Sequence, residues 1–395
     1  MMERKLLHTP EGVRDIYNRE CARKLILQEN LHALLKKYGY HMIETPTFEF
    51  FDIFSKEIGT IPSKDLYKFF DREGNTLVLR PDITPSIARC AAKYYGDENF
   101  PVRLSYMGNT FINNSSYQGR LKETTQLGAE LIGDNSVNAD GEILALVVRA
   151  LQTAGLQEFQ IGVGHADFFR GLAKAADLKE DIKLELMELI SNKNFFGVEE
   201  LVDSLCLTVE LRELFSMLGS ICMTEAMIDH AKALASDYPV IINALERLEK
   251  LMKILRYYGV EKYVSIEPGM LSSYHYYTGI IFAGYTFGSG EPIVKGGRYD
   301  KLLHYFGKDA PSIGFAVVID QLLAALSRQK IQIPVQDNGT LIVYREAVRE
   351  TAIRQAEQLR NQGIIVSLVV WDETKTREEY QAYAKRMHIP AIRFL

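Results

Sequence analysis

Two segments constrain this 395-residue chain most: PVRLSYMGNTFIN and KETTQLGAELIGD. Each reads as a strand, and only the polar loop over residues 113–120 lies between them, so they pair antiparallel. A shorter hairpin precedes them in KFFDREGNTLVLR. There Glu73-Gly74-Asn75 forms the turn and residues 76–80 the second strand. Antiparallel pairs with helices kept apart from them point to an α+β sheet domain.

The rest of the chain fills in around that sheet. Pro10 and Gly12 mark an ordered turn before a helix over residues 18–38. In that helix Leu25, Ile26, Leu31, Leu34 and Leu35 recur at helical spacing, and Gly39 supplies the stop. YHMIETPTFEF alternates like a strand broken at Pro46. A helix is expected to begin near Thr84-Pro85, with Thr84 as its cap and the proline at the favoured first position. Residues 140–155 read as helix and 158–165 as strand. From about 168 to 262 the pattern is helical, an insertion with little chemistry in it. Strands return over 263–287 and, after a turn at Phe287-Gly288-Ser289-Gly290, over 291–296. GGRYDKLLHYFG reads as the opening of another helix, and PSIGFAVVIDQLLAAL as a strand end entering an apolar helix. The first domain therefore runs over 1–330. A linker at 331–339 leads to a small β-α-β-α-β unit over 339–395, whose alternation predicts a mainly parallel sheet.

Composition is that of an ordinary globular chain, 47% hydrophobic and 25% charged, and long enough to bury a large core. The formal net charge of −5 argues mildly against nucleic acid as a partner, because phosphate binding usually needs a basic face. Cys21, Cys90, Cys206 and Cys222 form no C-x-x-C pair, so free thiols in a reducing compartment and no metal are expected. No stretch has the length of a signal peptide's apolar core or of a membrane span, which predicts a cytoplasmic protein with no membrane association. No cofactor is expected, since no Gly-rich phosphate loop, Ser-His-Asp pattern or metal spacing is present.

Several segments, taken in order, resemble histidyl-tRNA synthetase. They are TPEGVRD, LRPDITPSIAR, QLGAELIG, YYTG, GGRYD and GFAVVIDQL, spanning residues 9–325. The resemblance implies a class II synthetase-like antiparallel sheet flanked by helices, in a homodimer whose first motif lies at the interface. It also makes the 339–395 unit similar to the start of that family's anticodon-binding domain, cut short.

The ligand implied is histidine, which needs carboxylates for its ammonium and hydrogen-bonding groups for its ring. The matching positions are Asp82 and Thr84, Gln126 and Glu130, Tyr276 and Tyr277, and Arg298 in GGRYD. Gln126 and Glu130 stand four residues apart on one strand and so face one side. Tyr276 and Tyr277, if on a strand, face opposite sides, and one of them touches the ligand. Read without the resemblance, Gln126 and Glu130 are equally a solvated strand face and Arg298 the partner of a nearby acid, and Asp82 has the lesser alternative of an acid at a helix N-terminus only.

The nucleotide half differs from the family's pattern. The arginine expected after Gly-x-x-Phe is Ile112, and the glutamate two residues on is Asn114. The acid-arginine pair closing the third motif is Asp320-Gln321. In LSSYHYY, Ser272 falls where an arginine belongs and His275 where an acid belongs. Removing one partner of a buried charged contact costs on the order of 2–5 kcal/mol, so three neutral positions predict that histidine activation with ATP falls by many decades. Arg120 and Lys122, in the loop after Ile112, are not expected to rescue it.

One group within this family keeps the body, loses these arginines and has a missing or reduced anticodon domain: the regulatory subunits of short-form ATP phosphoribosyltransferase. The resemblance to that group implies a non-catalytic chain that joins the short catalytic subunit and carries feedback by histidine on the first step of histidine biosynthesis. The competing expectations are a working histidyl-tRNA synthetase and a tRNA-sensing module.

Overall fold

A computed structural model describes residues 7–54, 61–114, 120–271 and 277–395 of the chain. They divide into two compact units, one ending at Gln332 and one running from Ile333 to Leu395.

In the first unit, helix α1 (Asn18–Lys37) leads to β1 (His41–Met42). Pro46 then breaks the extended run, and β2 (Phe48–Phe50) enters a different sheet with β3 (Lys68–Phe70) and β4 (Thr76–Leu79). Next come α2 (Thr84–Tyr94), the long strands β5 (Val102–Phe111) and β6 (Glu123–Ile132), α3 (Val137–Thr153) and β7 (Phe159–His165). Six helices follow: α4 (Ala166–Ala175), α5 (Glu180–Ser191), α6 (Phe195–Asp203), α7 (Val209–Ser216), α8 (Glu225–Leu234) and α9 (Pro239–Tyr258). The unit closes with β8 (Val264–Ile266), β9 (Ile280–Thr286), β10 (Val294–Arg298), β11 (Ser312–Val318) and α10 (Ile319–Arg328).

Eight strands form the main sheet in the order β1-β5-β6-β11-β10-β9-β7-β8. Its interior pairs are antiparallel, as the β5–β6 hairpin predicts, and only the outer pairs β1–β5 and β7–β8 are parallel. Helix α3 packs against β6 and β11, and α9 against α3. Ile143, Leu144, Leu146, Val147 and Leu151 of α3 are fully buried, which explains the almost unbroken apolar run of that helix.

Register sorts the side chains of the central strands onto two faces. Glu130 lies opposite Gly314, and Gly314 opposite Gly297. Gly128 pairs with Tyr106 and with Ala316, and Lys295 pairs with Ala316 and Ala283. One face therefore carries Tyr106, Gln126, Gly128, Glu130, Gly314, Ala316, Lys295 and Gly297. The opposite face meets α3.

Two local expectations are corrected. GGRYDKLLHYFG does not open a helix: its Gly-Gly-Arg ends β10, and only a short 3-10 turn follows over Leu303–Phe306, closed by Gly307 at φ 85°. The glycines belong to the strand because they sit under rings. A Cβ on Gly297 would stand 2.7 Å from the Tyr277 ring, and one on Gly296 would stand 2.3 Å from that of Phe282. Thr84 is the first residue of α2 rather than its cap. Its hydroxyl is drawn away to a buried carboxylate, and the carboxylate of Asp82 accepts from the first free N–H groups instead.

The second unit holds β12 (Gly339–Tyr344), α11 (Arg349–Asn361), β13 (Ile365–Val370), α12 (Arg377–Arg386) and β14 (Ala391–Phe394). The strands are parallel in the order β13-β12-β14. Alternation along β12 splits its core. Ile342 and Tyr344 pack with Ala352 and Ala356 of α11, while Leu341 and Val343 pack with Tyr380 and Ala384 of α12. Among the described residues no helix is long and apolar enough to cross a membrane.

Candidate amino-acid binding site

The glycine-bearing face of the sheet, with the N-terminus of α2 above it, encloses a cavity of about 1050 Å³. Asp82, Thr84, Gln126, Glu130, Tyr277, Tyr299 and Gly314 all line it. Strand alternation delivers Gln126 and Glu130 together, and the turn before α2 delivers Asp82 and Thr84. The floor is low because it lacks side chains. A Cβ on Gly314 would lie 1.6 Å from Glu130 Oε2, so only glycine there lets that carboxylate lie across the strand.

Glu130 is the centre of this end of the cavity. It is 1% exposed. Its Oε1 accepts from the Thr84 hydroxyl at 2.9 Å and its Oε2 from the Tyr299 hydroxyl at 2.5 Å. Burial pushes its carboxyl up to about 8, against those two hydrogen bonds, which favour the ionised form. Asp82 is also buried, and burial raises it, while the N–H groups of Ile83 (2.7 Å) and Thr84 (3.4 Å) pull the other way. Among the described residues neither carboxylate has a cationic partner within ion-pair distance, and the buried Oε1 of Gln126 has no hydrogen-bond partner. Two buried acids and an unused acceptor on one concave surface suit a ligand bearing an ammonium group and N–H donors.

Arg298 is not brought to this cavity. It falls on the other face of β10, where its Nε and Nη2 donate to Asp140 Oδ1 at 2.9 and 2.6 Å and its Nη1 to the carbonyl of Asp134 at 3.0 Å. Arg247 of α9 donates to the second oxygen of the same carboxylate at 2.7 Å. Arg298 thus ties strand to helices, the alternative that the residues alone left open. Tyr277 lines the cavity, and Arg170 of α4 donates to its carbonyl at 2.7 Å. Tyr276, Ser272 and His275 lie outside the described residues.

Ile112, Asn114 and Gln321, at the positions where the family's pattern places nucleotide-binding residues, line the opposite end. Asp320, beside Gln321, pairs with Lys24 at 3.0 Å and accepts from the Thr125 N–H at 2.6 Å. Arg120 also reaches this wall, paired with Glu291 at 2.8 Å, and Arg14 is paired with Glu20 at 2.6 Å. Two residues of the site were not singled out from sequence, Tyr299 and Lys295. Their signal was strand parity: 295 and 297 share one face of β10 and 296 and 298 the other, and Tyr299 follows the strand directly. Among the described residues no cluster of His, Cys, Asp and Glu is placed to hold a metal ion.

The family model for histidyl-tRNA synthetase matches residues 12–322. An ATP phosphoribosyltransferase regulatory subunit of Acetivibrio thermocellus is 41% identical over 365 residues, 92% of this chain and 86% of the relative. The chain belongs to the ATP phosphoribosyltransferase regulatory subunit family, built on the histidyl-tRNA synthetase fold. A second regulatory subunit, from Ruminiclostridium cellulolyticum, is 38% identical across 100% of this chain and 93% of its own length. Among solved structures, an ATP phosphoribosyltransferase regulatory subunit/histidyl-tRNA synthetase from Bacillus halodurans superposes with a TM-score of 0.87. It is 32% identical and covers 98% of each chain. The class II fold expected from the motifs is the fold observed.

Proposed function

We propose that this chain is the non-catalytic regulatory subunit of ATP phosphoribosyltransferase, and that free histidine binds in the cavity around Glu130. The observation that carries the reading is the contrast between the two ends of one cavity. The amino-acid end keeps Asp82, Thr84, Gln126, Glu130 and Tyr277, while the nucleotide end presents Ile112, Asn114 and Gln321. The regulatory-subunit relatives support the assignment of partner, a catalytic ATP phosphoribosyltransferase chain. A homodimer within that assembly and a cytoplasmic location belong to the same reading. Histidine regulates such an assembly only by binding two of its states unequally, and couplings of this kind are typically about 1–3 kcal/mol.

The test has two arms. Calorimetry with histidine on the full chain is expected to show binding without ATP, lost in the Asp82→Ala/Glu130→Ala variant. The assembled enzyme is expected to respond to histidine with the wild-type chain and not with that variant. If the variant assembly responds like wild type, the sensing site lies elsewhere. The family match to histidyl-tRNA synthetase calls for one further assay, histidine-dependent exchange of pyrophosphate into ATP. Exchange at a synthetase-like rate would overturn the non-catalytic reading.

A further inference from the structure

An α-amino acid carries a carboxylate on the same carbon as its ammonium, so a pocket that selects amino acids over amines gains from a cation set beside its acids. The acids are in place as Asp82 and Glu130. Five basic residues line the cavity: Arg14, Arg120, Lys122, Lys295 and Arg328. Three are committed elsewhere. Arg14 pairs with Glu20, Arg120 with Glu291, and Arg328 donates to the carbonyl of Gly288. Lys122 stands eight residues before Glu130, about 26 Å away along an extended chain, too far to share one amino acid with it.

Lys295 differs from all four. Its side chain is exposed, and among the described residues no ion pair or hydrogen bond engages its ammonium. Register puts it on the same sheet face as Gln126 and Glu130. It lies two strands across from Glu130 and two residues along, so their Cα atoms are about 12 Å apart. The residues paired with it on that face are Ala316 and Ala283, too small to block the four-carbon stem from leaning toward Gly314, over which the Glu130 carboxylate lies. Both side chains rise from one face, so their charged ends can be set about 8 Å apart, the span of an ammonium and a carboxylate on one carbon with a hydrogen bond on each side. Gln126, with its unused Oε1, lies on the same face.

We infer that Lys295 is the carboxylate-recognising residue of this pocket, holding the α-carboxylate of the bound amino acid while Glu130 and Asp82 hold its ammonium. The inference rests on the proposed amino-acid site and adds what makes that site selective.

Calorimetry of the full chain with L-histidine and with L-histidinol, an alcohol in place of the carboxylate, tests it. Wild type is expected to bind histidine about ten- to a hundredfold more tightly than histidinol, the range of a charge-assisted hydrogen bond. Lys295→Met is expected to lower histidine to the histidinol level and to leave histidinol unchanged, while Lys295→Arg restores most of the discrimination. If Lys295→Met weakens both ligands alike, or leaves histidine untouched, the assignment is wrong and the amino-acid site stands. If wild type binds neither ligand, the site and the assignment fall together.

Discussion

A carboxyl pushed up to about 8 is a proton-binding group near neutral pH, and this has consequences for Glu130 in both ligand binding and stability. An ammonium ligand requires the ionised carboxylate, so binding below that range must expel a proton. Histidine affinity is therefore expected to rise up to about tenfold per pH unit between pH 6 and 8, with calorimetric heats that vary with buffer ionisation. A flat profile over that interval would remove Glu130 from the contact. Stability runs the other way. The folded state holds the Glu130 proton more tightly than the unfolded chain, whose carboxyl titrates near 4.5. The contribution is therefore present in full below that value and is lost as pH rises through about 8. By linkage the loss is on the order of 5 kcal/mol at its limit. Glu130→Gln should melt higher than wild type at pH 8, the two converging toward pH 5, and should no longer bind histidine. At this scale much was legible: Gln126 and Glu130 face one side because strands alternate. Arg298 was not, because alternation tells which residues share a face but not which face meets the cavity. That needs the pairing of β10 with β9 and β11, which no local pattern specifies.

Among the elements, α3 and α9 and the end of β10 meet at one carboxylate. Asp140 is fully buried and accepts from both Arg298 and Arg247, so the helical insertion is fastened to the sheet through a side chain on α3. Cutting a buried pair on one side leaves the other charges unsatisfied, which costs about 3–5 kcal/mol. Asp140→Ala is expected to lose stability toward that size in urea unfolding, because it leaves the 1% exposed Arg298 only the Asp134 carbonyl and the longer 3.3 Å pair with Asp300. Arg247→Met should cost clearly less, since Asp140 keeps its two bonds from Arg298. Equal losses in the two variants would mean the carboxylate is not the common anchor. The order of the elements was largely legible, down to the break at Pro46 and the helical run after β7. The reading failed at GGRYDKLLHYFG and at Thr84 for one reason. In both places local preference gives way to the site. The Tyr277 ring on the cavity face requires glycine at 297, with Phe282 requiring it at 296 on the other face, and Glu130 takes the hydroxyl that would cap α2.

At the scale of the molecule, the division near Gln332 separates two independent cores. Every residue lining the cavity precedes it, the last being Arg328. The second unit buries its own apolar residues on both sides of β12. A chain ending at Gln332 is thus expected to fold and to bind histidine within about twofold of the full chain, a difference well under 1 kcal/mol. Purified as the fragment and titrated by calorimetry, it separates two roles for residues 333–395. If affinity is kept but histidine no longer controls the assembled enzyme, the small unit transmits what the pocket senses. If affinity itself collapses, the two units are not independent and the pocket depends on the whole chain. Coupling through the assembly requires that the ligand distinguish two of its states. The fragment tests whether the part proposed to bind histidine is also the part that tells those states apart.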